Sequence, residues 1–460
     1  MNLQDLVSAQ RQYFASGRTR PTAWRKQQLR RLRRGIVDTE PQLLDALHAD
    51  LRKPRQEAYA SELGMVMAEI AHAVRHLDRW ARPRPRRLPW LAWPGRAHVV
   101  PQPLGVCCII APWNCPVLLL LSPLVGAMAA GNCAVVKASE FAPATAQCLT
   151  DLINRVFPRQ YIHVVQGDAE VSRRLLQQRT DSIFFTGGTA IGREVMAAAA
   201  THLTPVTLEL GGKCPCVVCD DAALDLTARR IAWGKFLNAG QTCLAPDYVL
   251  AHASIINALI EALRRAIDRF YGPDARSSDD YGRIVNHRHF ERLAEMLKTG
   301  RTVVGGQADA RDLYIAPTVV TDVPMDGPLM QDEIFGPILP VLAFSNLDEA
   351  LSIIHDRASP LAVYLFTHDR ATQNELIKQT RSGSVCVNDT VVQATGCDLP
   401  FGGVGDSGMG RYHGKASFDC FSYPRTILRR RTWVDPCGRY PPARTPFKRF
   451  RTLYNLFSRI

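Results

Sequence analysis

Cysteine is scarce in this 460-residue chain, and the sequence contains no internal repeat and no tract of low complexity. Thirteen cysteines, an odd number, are too few for a disulfide-stabilised scaffold. No secretory signal is apparent at the start, so we expect reduced thiols and a cytoplasmic location. Hydrophobic residues make up 46% and charged residues 22%, as in ordinary globular proteins. At about three times the length of a typical domain, the chain should fold into two or three compact units.

Acidic residues are nearly absent from two stretches of the chain. Residues 18–34 include eight basic and no acidic side chains, and residues 429–460 include nine basic and one acidic. The second stretch also has apolar residues near helical spacing: Phe447, Phe450, Leu453, Tyr454 and Phe457. This pattern favours docking on an anionic membrane surface, although packing against a partner subunit is an alternative. Charges interrupt its apolar runs well before the ~20 residues of a membrane span. No nucleic-acid module accompanies the basic stretches, so we expect no nucleic-acid partner.

The order of predicted elements indicates the fold class. Residues 1 to about 80 have helical periodicity, and the Pro- and Arg-rich segment 82–94 interrupts it as a linker or an exposed arm. Apolar strands that alternate with helices are predicted at 105–111, 132–136, 161–165 and 182–186. This alternation predicts a doubly wound α/β domain with a parallel sheet, the type that binds nucleotides.

A glycine-bearing turn at residues 184–192 (FFTGGTAIG) follows the last of these strands, and we expect a helix from about Arg193. Free amides at a helix N-terminus favour phosphate, but the spacing departs from GxGxxG, and a purely structural turn would look the same. Arg193 and Glu194 stand where a nucleotide-hydrolase phosphate loop needs Lys and Ser or Thr. Lys137 and Glu140 follow another strand end, where ligands bind in open sheets, although a surface ion pair is the alternative.

Two further motifs contain side chains suited to catalysis. Glu209 lies between leucines at a strand end, where partial desolvation would raise its pKa and suit it to act as a general base. A salt-bridged structural glutamate is the alternative. Cys243 follows a glycine-bearing turn, which can expose its thiol to a substrate and place backbone amides near a bound oxygen. A lone cysteine is more often a buried hydrophobic residue, so neither motif decides the function alone.

Taken together, the motifs resemble the aldehyde dehydrogenase family, and its class 3 branch in particular. In chain order they are Pro112 to Asn114, Lys137 to Glu140, Phe185 to Gly192, Leu208 to Lys213, Gly240 to Cys243, Glu333 to Pro337 and Leu399 to Arg425. The resemblance implies a Rossmann-like cofactor domain, an α/β catalytic domain and a small bridging element. We expect a discontinuous NAD(P)-binding domain of residues 1–81 and 101–210, a catalytic domain of 211–388, a bridging and oligomerisation element of 82–100 and 389–428, and a basic amphipathic tail of 429–460. Class 3 relatives are mostly dimers, so a homodimer is implied as well.

The resemblance also implies a reaction. Cys243 would attack the aldehyde carbon, while the Asn114 amide and the Cys243 backbone amide hold the oxygen of the adduct. Hydride would leave to the nicotinamide cofactor, and water activated by Glu209 would hydrolyse the resulting thioester to a carboxylic acid. Aromatic aldehydes and medium or long aliphatic aldehydes are both consistent with this branch.

Further residues carry over from the family as ligand contacts. Those implied for the cofactor are Lys137, Glu140, Gly187, Gly188, Gly192, Glu333 and Phe335. Glu140 near the adenine-side ribose would favour NAD, although class 3 relatives often accept NADP too. Those implied for the aldehyde pocket are Trp233, Phe401 and His413, with core packing as their alternative role. Class 3 members commonly have an aromatic residue where this chain has Cys115, so we expect one wall of the substrate tunnel to be wider.

Two other functions are consistent with parts of the sequence. An acylating enzyme would pass the thioester to coenzyme A, but Glu209 argues for water as the acceptor. A catalytically silent membrane-docking scaffold would not need Cys243, Asn114, Glu209 and Glu333 together. Cys214, Cys216 and Cys219 lie on an apolar strand without a fourth ligand at a suitable spacing, so we expect no zinc site and no other metal.

Overall fold

The computed structural model describes residues 2–88, 92–435, 440–442 and 445–458. The helices are α1 (Leu3–Ala15), α2 (Thr22–Asp38), α3 (Glu40–Leu51), α4 (Arg55–Ala58), α5 (Gly64–Trp80), α6 (Pro116–Ala130), α7 (Pro143–Val156), α8 (Ala169–Leu176), α9 (Thr189–Ala200), α10 (Leu224–Phe236), α11 (Ile256–Tyr271), α12 (His287–Met296), α13 (Pro328–Gln331), α14 (Leu347–His355), α15 (Arg370–Gln379), α16 (Gly414–Cys420) and α17 (Phe447–Ser458). A π-helical turn, Tyr59–Leu63, joins α4 to α5.

The strands are β1 (Arg84–Arg86), β2 (Gly95–Pro103), β3 (Val106–Ile110), β4 (Cys133–Lys137), β5 (Ile162–Val165), β6 (Ser182–Thr186), β7 (Val206–Glu209), β8 (Pro215–Val218), β9 (Tyr248–His252), β10 (Arg301–Val304), β11 (Ala308–Asp309), β12 (Tyr314–Ile315), β13 (Thr318–Thr321), β14 (Ile338–Phe344), β15 (Ala362–Phe366), β16 (Ser384–Val387), β17 (Gly408–Met409) and β18 (Ser422–Arg430). β3 to β6 confirm the four strands predicted from the apolar runs.

The first sheet has the order β17-β7-β6-β3-β4-β5. Its strands are parallel except β17, which pairs antiparallel with β7. The chain places β4 and β5 on one side of β3 and then returns to place β6 and β7 on the other side. Ligands bind at the carboxyl ends of strands where the strand order reverses in this way. The sheet therefore confirms a doubly wound fold, and a ligand site is expected at the carboxyl ends of β3 and β6.

A second sheet has the order β10-β13-β14-β9-β8-β15-β16 and is parallel from β13 to β16. Its central strands are buried, as expected where helices cover both faces. Helix α6 is buried along its whole length because it packs against α2, α5 and α16 as well as the first sheet. The domain boundaries assigned from the family resemblance stay predictions.

The third sheet, β1-β2-β18, is antiparallel. The expectation of a linker or arm at 82–94 was wrong for β1, although residues 89–91 lie outside the described part. β1 contains Pro85, and proline is tolerated here because β1 lies at the edge of the sheet. The helix expected from about Arg193 begins earlier, at Thr189, because Gly188 has the extended backbone of a helix N-cap. In the ranges described, no helix is both long and apolar enough to cross a membrane.

Candidate active site

A cavity opens at the carboxyl ends of β3 and β6, where the strand order reverses. Its lining residues are Pro112, Trp113, Asn114, Leu119, Thr186, Gly187, Gly188, Glu209, Leu210, Gly211, Cys243, His289, Arg292, Glu333, Phe335, Leu361, Phe401 and Tyr412. The cavity thus brings together Asn114, Glu209, Cys243 and Glu333, which are far apart in the sequence. Phe401 and Tyr412 reach the cavity because β17, which lies between them in the sequence, pairs with β7 beside Glu209.

Cys243 follows a turn with an unusual backbone. Asn238, Ala239 and Gly240 have φ values of 52°, 51° and 75°, so three successive residues are left-handed. A side chain at Gly240 would place its β-carbon 2.2 Å from the Gly336 carbonyl oxygen. Backbone strain of this kind persists only where the surrounding structure holds it. The turn therefore packs directly on the backbone of the segment that contains Glu333.

Hydrogen bonds hold this turn against Asn114. Gln241 is buried, and its side-chain nitrogen donates to the carbonyl oxygens of Asn238 and Arg283, at 2.9 Å each. The side-chain amide of Asn238 donates to the Asn114 carbonyl at 2.8 Å. The Asn114 amide in turn donates to the Gln241 carbonyl at 3.1 Å. Asn114, the oxyanion-binding candidate, therefore both accepts a hydrogen bond from residues 238–241, the cysteine turn, and donates one to it.

The Cys243 thiol is partly accessible and faces the cavity. Burial of the surrounding site raises the pKa of the Cys243 thiol well above its ordinary value, and the nearby Glu333 carboxylate raises it further. The Cys214 thiol donates to the Cys243 carbonyl at 3.4 Å. The Cys243 side chain is therefore a neutral thiol in this environment, and it must ionise before it can act as a nucleophile.

Glu209 ends β7 and is buried. Neither carboxylate oxygen has a hydrogen-bond partner within the described residues. Burial raises the pKa of the Glu209 carboxyl well above its usual range, although Arg411 lowers it in part. The sequence-based expectation of a raised pKa is confirmed in direction. A buried carboxyl without a partner has the properties of a general base that meets water or a ligand in the cavity.

Glu333 and Phe335 also line the cavity. Burial, followed by repulsion from the Asp247 carboxylate, raises the pKa of Glu333 to about 8. Arg292 holds this segment by donating to the Glu333 carbonyl at 3.3 Å and to the Ile334 carbonyl at 2.6 Å. Phe335 has a left-handed backbone, φ 49°, and its ring meets Trp113 edge-on at 5.4 Å between centroids.

The three glycines of the predicted cofactor turn have different environments. Gly187 and Gly188 line the cavity, and a β-carbon at Gly188 would meet no protein atom within 4 Å. Gly192 lies within α9, where a β-carbon would be 2.6 Å from the Leu210 side chain. It therefore permits close packing of the helix on the strand end. Lys137 is buried and forms an ion pair with the more exposed Glu140, and neither lines the cavity.

The structure separates the three residues predicted for the aldehyde pocket. Phe401 lines the cavity, whereas His413 is buried behind it and stacks on its ring at 5.3 Å. Burial lowers the pKa of His413 to about 4. Trp233, on α10, is 40% exposed and is not among the lining residues. The pocket roles of His413 and Trp233 stay predictions.

Sequence reasoning missed His289 and Arg292, both on α12. Burial lowers the pKa of His289 to about 4, and its ring lies 5.0 Å from that of Trp113. Tertiary packing brings this helix to the cavity, and no local motif marks it. Cys214 and Cys216 are buried and Cys219 is partly buried. Within the part of the chain that is described, no three or more potential ligands cluster as a metal site.

A dinucleotide-dependent enzyme with a reactive thiol is the class of protein with which this arrangement agrees. The aldehyde dehydrogenase family model matches residues 1–427. The chain is similar to Aldehyde dehydrogenase family 3 member A2 of Mus musculus, with 46% identity over 434 residues, 94% of this chain and 90% of that protein. It is 44% identical to "Aldehyde dehydrogenase, dimeric NADP-preferring" of Canis lupus familiaris, covering 96% of this chain and 98% of that protein.

Among solved structures, "Substrate bound state of Staphylococcus Aureus AldH" superposes with a TM-score of 0.96 and 40% identity. The similarity covers 99% of this chain and 100% of that one. The chain belongs to the aldehyde dehydrogenase family, and its relatives include family 3 members. It is an NAD(P)-dependent oxidoreductase that acts on aldehydes.

Proposed function

We propose that the chain oxidises aldehydes to carboxylic acids through a thioester on Cys243, which water activated by Glu209 then hydrolyses. One observation carries this proposal. The thiol of Cys243, the amide of Asn114 and the unpartnered carboxyl of Glu209 line a single cavity. Nucleophile, oxyanion donor and base are the groups that acyl transfer requires within reach of one carbonyl.

The same cavity fits a nicotinamide dinucleotide. Open space beside Gly188 at the start of α9 suits a phosphate, because this helix has no side-chain cap. Buried Thr186 Oγ1 also lacks a partner among the described residues, so a bound ligand could satisfy it. Glu333 would accept hydrogen bonds from the hydroxyls of the nicotinamide ribose, and Phe335 would lie beside the nicotinamide ring. Lys137 and Glu140 would contact the adenine-side ribose. When bound, NAD(P)⁺ supplies the acceptor for hydride.

Each protein group has one task in this scheme. The Cys243 thiol releases its proton to solvent and its sulfur forms a bond to the aldehyde carbon, giving the oxyanion of a thiohemiacetal. The Asn114 nitrogen has two hydrogens, of which one donates to Gln241, and the other would donate to the developing oxyanion. After hydride leaves, Glu209 takes a proton from water, which attacks the thioester. The carbon–sulfur bond breaks to release the acid, and the Cys243 thiolate takes the proton from Glu209, which restores both groups.

The substrate class follows from the lining of the cavity. Trp113, Phe335, Phe401 and Tyr412 supply aromatic surface, which suits aromatic aldehydes and medium or long aliphatic aldehydes. Phe401 would form part of the aldehyde pocket, together with Trp233 and His413 as the family resemblance implies. An acylating reaction with coenzyme A is not favoured, because Glu209 is available to activate water.

We further propose a homodimer assembled through the bridging element, 82–100 and 389–428, with the cofactor and catalytic domains at the boundaries given above. The name of the canine relative describes that protein as dimeric. β18 lies at the outer edge of its sheet, where a strand can pair with a second chain. Light scattering should give a mass of about twice 51.1 kDa. A mass of one chain at micromolar concentration would contradict the dimer.

A peripheral membrane contact through the tail is a second proposal, with the enzyme itself at the cytoplasmic face. α17 exposes large apolar side chains beside basic ones, the pattern of a helix that lies on an anionic surface. Its apolar residues follow the helical spacing predicted from the sequence.

Absorbance at the NADH wavelength tests the catalytic proposal. Wild-type protein should reduce NAD⁺ with an aromatic or long aliphatic aldehyde, without coenzyme A, and Cys243→Ala should lose at least about 1000-fold in turnover. Strict dependence on coenzyme A would favour the acylating reaction. Absence of turnover with every aldehyde and both cofactors would contradict an oxidising enzyme, and so would undiminished turnover in Cys243→Ala.

A further inference from the structure

A group of three charged side chains lies directly behind the wall formed by Asn114 and the cysteine turn. It consists of the buried Lys53 and Glu62 and the partly buried Glu57, from the chain between α3 and α5. The side chains of Lys53 and Glu62 are 0% exposed and pair at 2.5 Å. Burying two charges costs free energy that apolar residues of similar size would not require. Further hydrogen bonds to the two charged groups are needed to compensate for this cost.

Lys53 makes a second contact, to the backbone of the oxyanion-binding candidate. Its ammonium donates to the Asn114 carbonyl at 3.1 Å, and the side-chain amide of Asn238 donates to the same oxygen at 2.8 Å. Burial alone would lower the pKa of Lys53, but Cys115 and the carboxylates of Glu62 and Glu57 raise it above its ordinary value. Lys53 is therefore charged at any working pH, and the Asn114 carbonyl is fixed from two directions.

Glu62 holds the chain immediately after Asn114. Its second carboxylate oxygen accepts from the amides of Val117 and Leu118, at 2.8 and 3.3 Å. These amides belong to the first turn of α6, whose N-cap residue, Cys115, makes no side-chain capping bond. A carboxylate at a helix N-terminus satisfies free amides and interacts favourably with the helix dipole. Glu62 thus takes the place of a local cap and sets where α6 begins.

Glu57 extends the same group to the cysteine turn. One of its carboxylate oxygens accepts from the backbone N–H of Asn238 at 2.9 Å, at the first of the three left-handed residues. Burial raises the pKa of Glu57 to about 7, although Lys53 opposes the shift. The Lys53–Glu62 pair is therefore bonded to the backbone segment that presents the oxyanion donor, and the neighbouring Glu57 is bonded to the segment that presents the nucleophile.

We propose that Lys53, Glu57 and Glu62 are positioning residues for the reaction, acting through Asn114 and Asn238 to set the Asn114 amide against the Cys243 sulfur. The inference rests on the proposed function, because it assumes that these two groups meet one substrate carbonyl. Misplacing a catalytic group by about 1 Å costs up to ~100-fold in rate, so the rigidity of this group has a kinetic consequence.

The test uses two variants, because a single change risks misfolding. Lys53→Met leaves Glu62 as a buried charge without its partner and is expected to destabilise the protein strongly. Lys53→Met/Glu62→Gln removes both charges and keeps an amide oxygen to accept from Val117. We expect the double variant to unfold at a temperature close to that of wild type, yet to lose about 10- to 100-fold in kcat, with little change in the dissociation constant for NAD⁺.

Combination with Asn114→Ala separates positioning from general stability. Asn114→Ala alone should cost about 100-fold or more in kcat. If Lys53 and Glu62 act through that amide, adding their substitutions to Asn114→Ala should cost no more than about a further 2-fold. Leu263→Ala, in the core of α11, is the matched control: it should lower the unfolding temperature and leave kcat unchanged.

The outcomes distinguish this inference from the function on which it rests. An active wild type with full kcat in Lys53→Met/Glu62→Gln overturns the positioning role and leaves the aldehyde oxidation intact. Multiplicative losses in the Asn114→Ala background also overturn it, because they show that the ion pair acts by another route. Wild type that is inactive, or that is indifferent to Cys243→Ala, instead removes the proposed function itself.

Discussion

Gly211 and Glu333 are so closely packed that a β-carbon at residue 211 would lie 1.9 Å from Glu333 Oε2. Gly211 follows Glu209 by two residues, at the end of β7. The segment that contains the proposed base therefore touches the carboxylate proposed to hold the nicotinamide ribose. The positions of the two carboxyl groups are linked through a contact that only glycine permits.

Gly211→Ala should displace the Glu333 side chain. We expect the KM for NAD⁺ to rise about 10-fold, with a smaller fall in kcat, because the ribose contact would be lost while the thiol stays in place. Steady-state kinetics measure both constants. Gly211→Ala should have little further effect on KM in a Glu333→Ala background, and a full further loss there would show that the two residues act independently.

Gly188→Ala makes the complementary change, because the added methyl group meets no protein atom. The residue has an ordinary φ of −73° at the N-cap of α9, where alanine is less favourable than glycine, so the free energy of unfolding should fall by about 1 kcal/mol. If phosphate binds here, the methyl group occupies its space, and the dissociation constant for NAD⁺ should rise about 10-fold. Unchanged binding in a normally folded variant would place the cofactor phosphates elsewhere.

Glu209→Gln should transfer hydride once and then accumulate acyl-enzyme, since the amide cannot take a proton from water. Rapid-mixing experiments should show a full burst of NADH followed by a steady rate at least about 100-fold below wild type. Burial raises the pKa of Glu209, so the wild-type deacylation rate should increase with pH over a range that lies above the usual range of a carboxyl group. The variant should lack this dependence, and undiminished steady turnover would falsify the base role.

The same substitution has a consequence for stability. The Glu209 carboxyl ionises near pH 4.3 in the unfolded chain and at higher pH in the folded protein, so wild type loses stability as the pH rises through that interval. Glu209→Gln has no such loss. Its melting temperature should therefore exceed that of wild type at pH 8, and the difference should shrink toward pH 4.

Cofactor affinity should also depend on pH, through Glu333. Its pKa is raised to about 8 by burial and by Asp247, so the carboxylate that accepts ribose hydroxyls is formed mainly above that pH. We expect the dissociation constant for NAD⁺ to fall about 10-fold between pH 7 and pH 9. Measurement in a Glu209→Gln background removes the other titrating carboxyl. Glu333→Gln should abolish the dependence, and a persistent pH dependence in that variant would assign it to another group.

The fold class was predictable from local pattern, because alternating strands and helices indicate a parallel sheet whose strands meet at one edge with their carboxyl ends. The convergence of Asn114, Glu209 and Cys243 was expected only from the family resemblance. The raised pKa of Glu209 followed from its apolar neighbours in the sequence. These features depend on residues close in the chain, or on the general topology of parallel sheets.

Other features depend on tertiary packing and left no local signal. Arg292 reaches the Glu333 segment from an amphipathic helix that reads as an ordinary surface helix. Lys53 and Glu62 are buried charges that also bond to the backbone of Asn114 and Val117, 61 and 55 positions away in the chain. The strand at Arg84–Arg86 was missed because prolines and arginines disfavour a strand, and only its pairing with β2 at a sheet edge overrides that preference.

The tail provides the last prediction. Phe447 and Leu456 on α17 are 72% and 69% exposed, and Lys448, Arg449 and Arg451 are exposed beside them. Vesicles that contain phosphatidylserine should bind the wild-type protein at low salt, and more weakly as salt screens the basic residues.

Deleting residues 445–460 should release the protein from these vesicles and spare turnover of a water-soluble aldehyde, because none of the residues described in 445–458 lines the cavity. Leu453→Gln/Leu456→Gln is the sharper variant, since it removes two apolar side chains and leaves the net charge of the tail unchanged. If apolar insertion contributes, this variant should also sediment poorly with the vesicles. Retention of the double variant but not of the deletion would mean that charge alone holds the tail to the surface. Equal sedimentation of all three proteins would assign the exposed face of α17 to something other than a membrane.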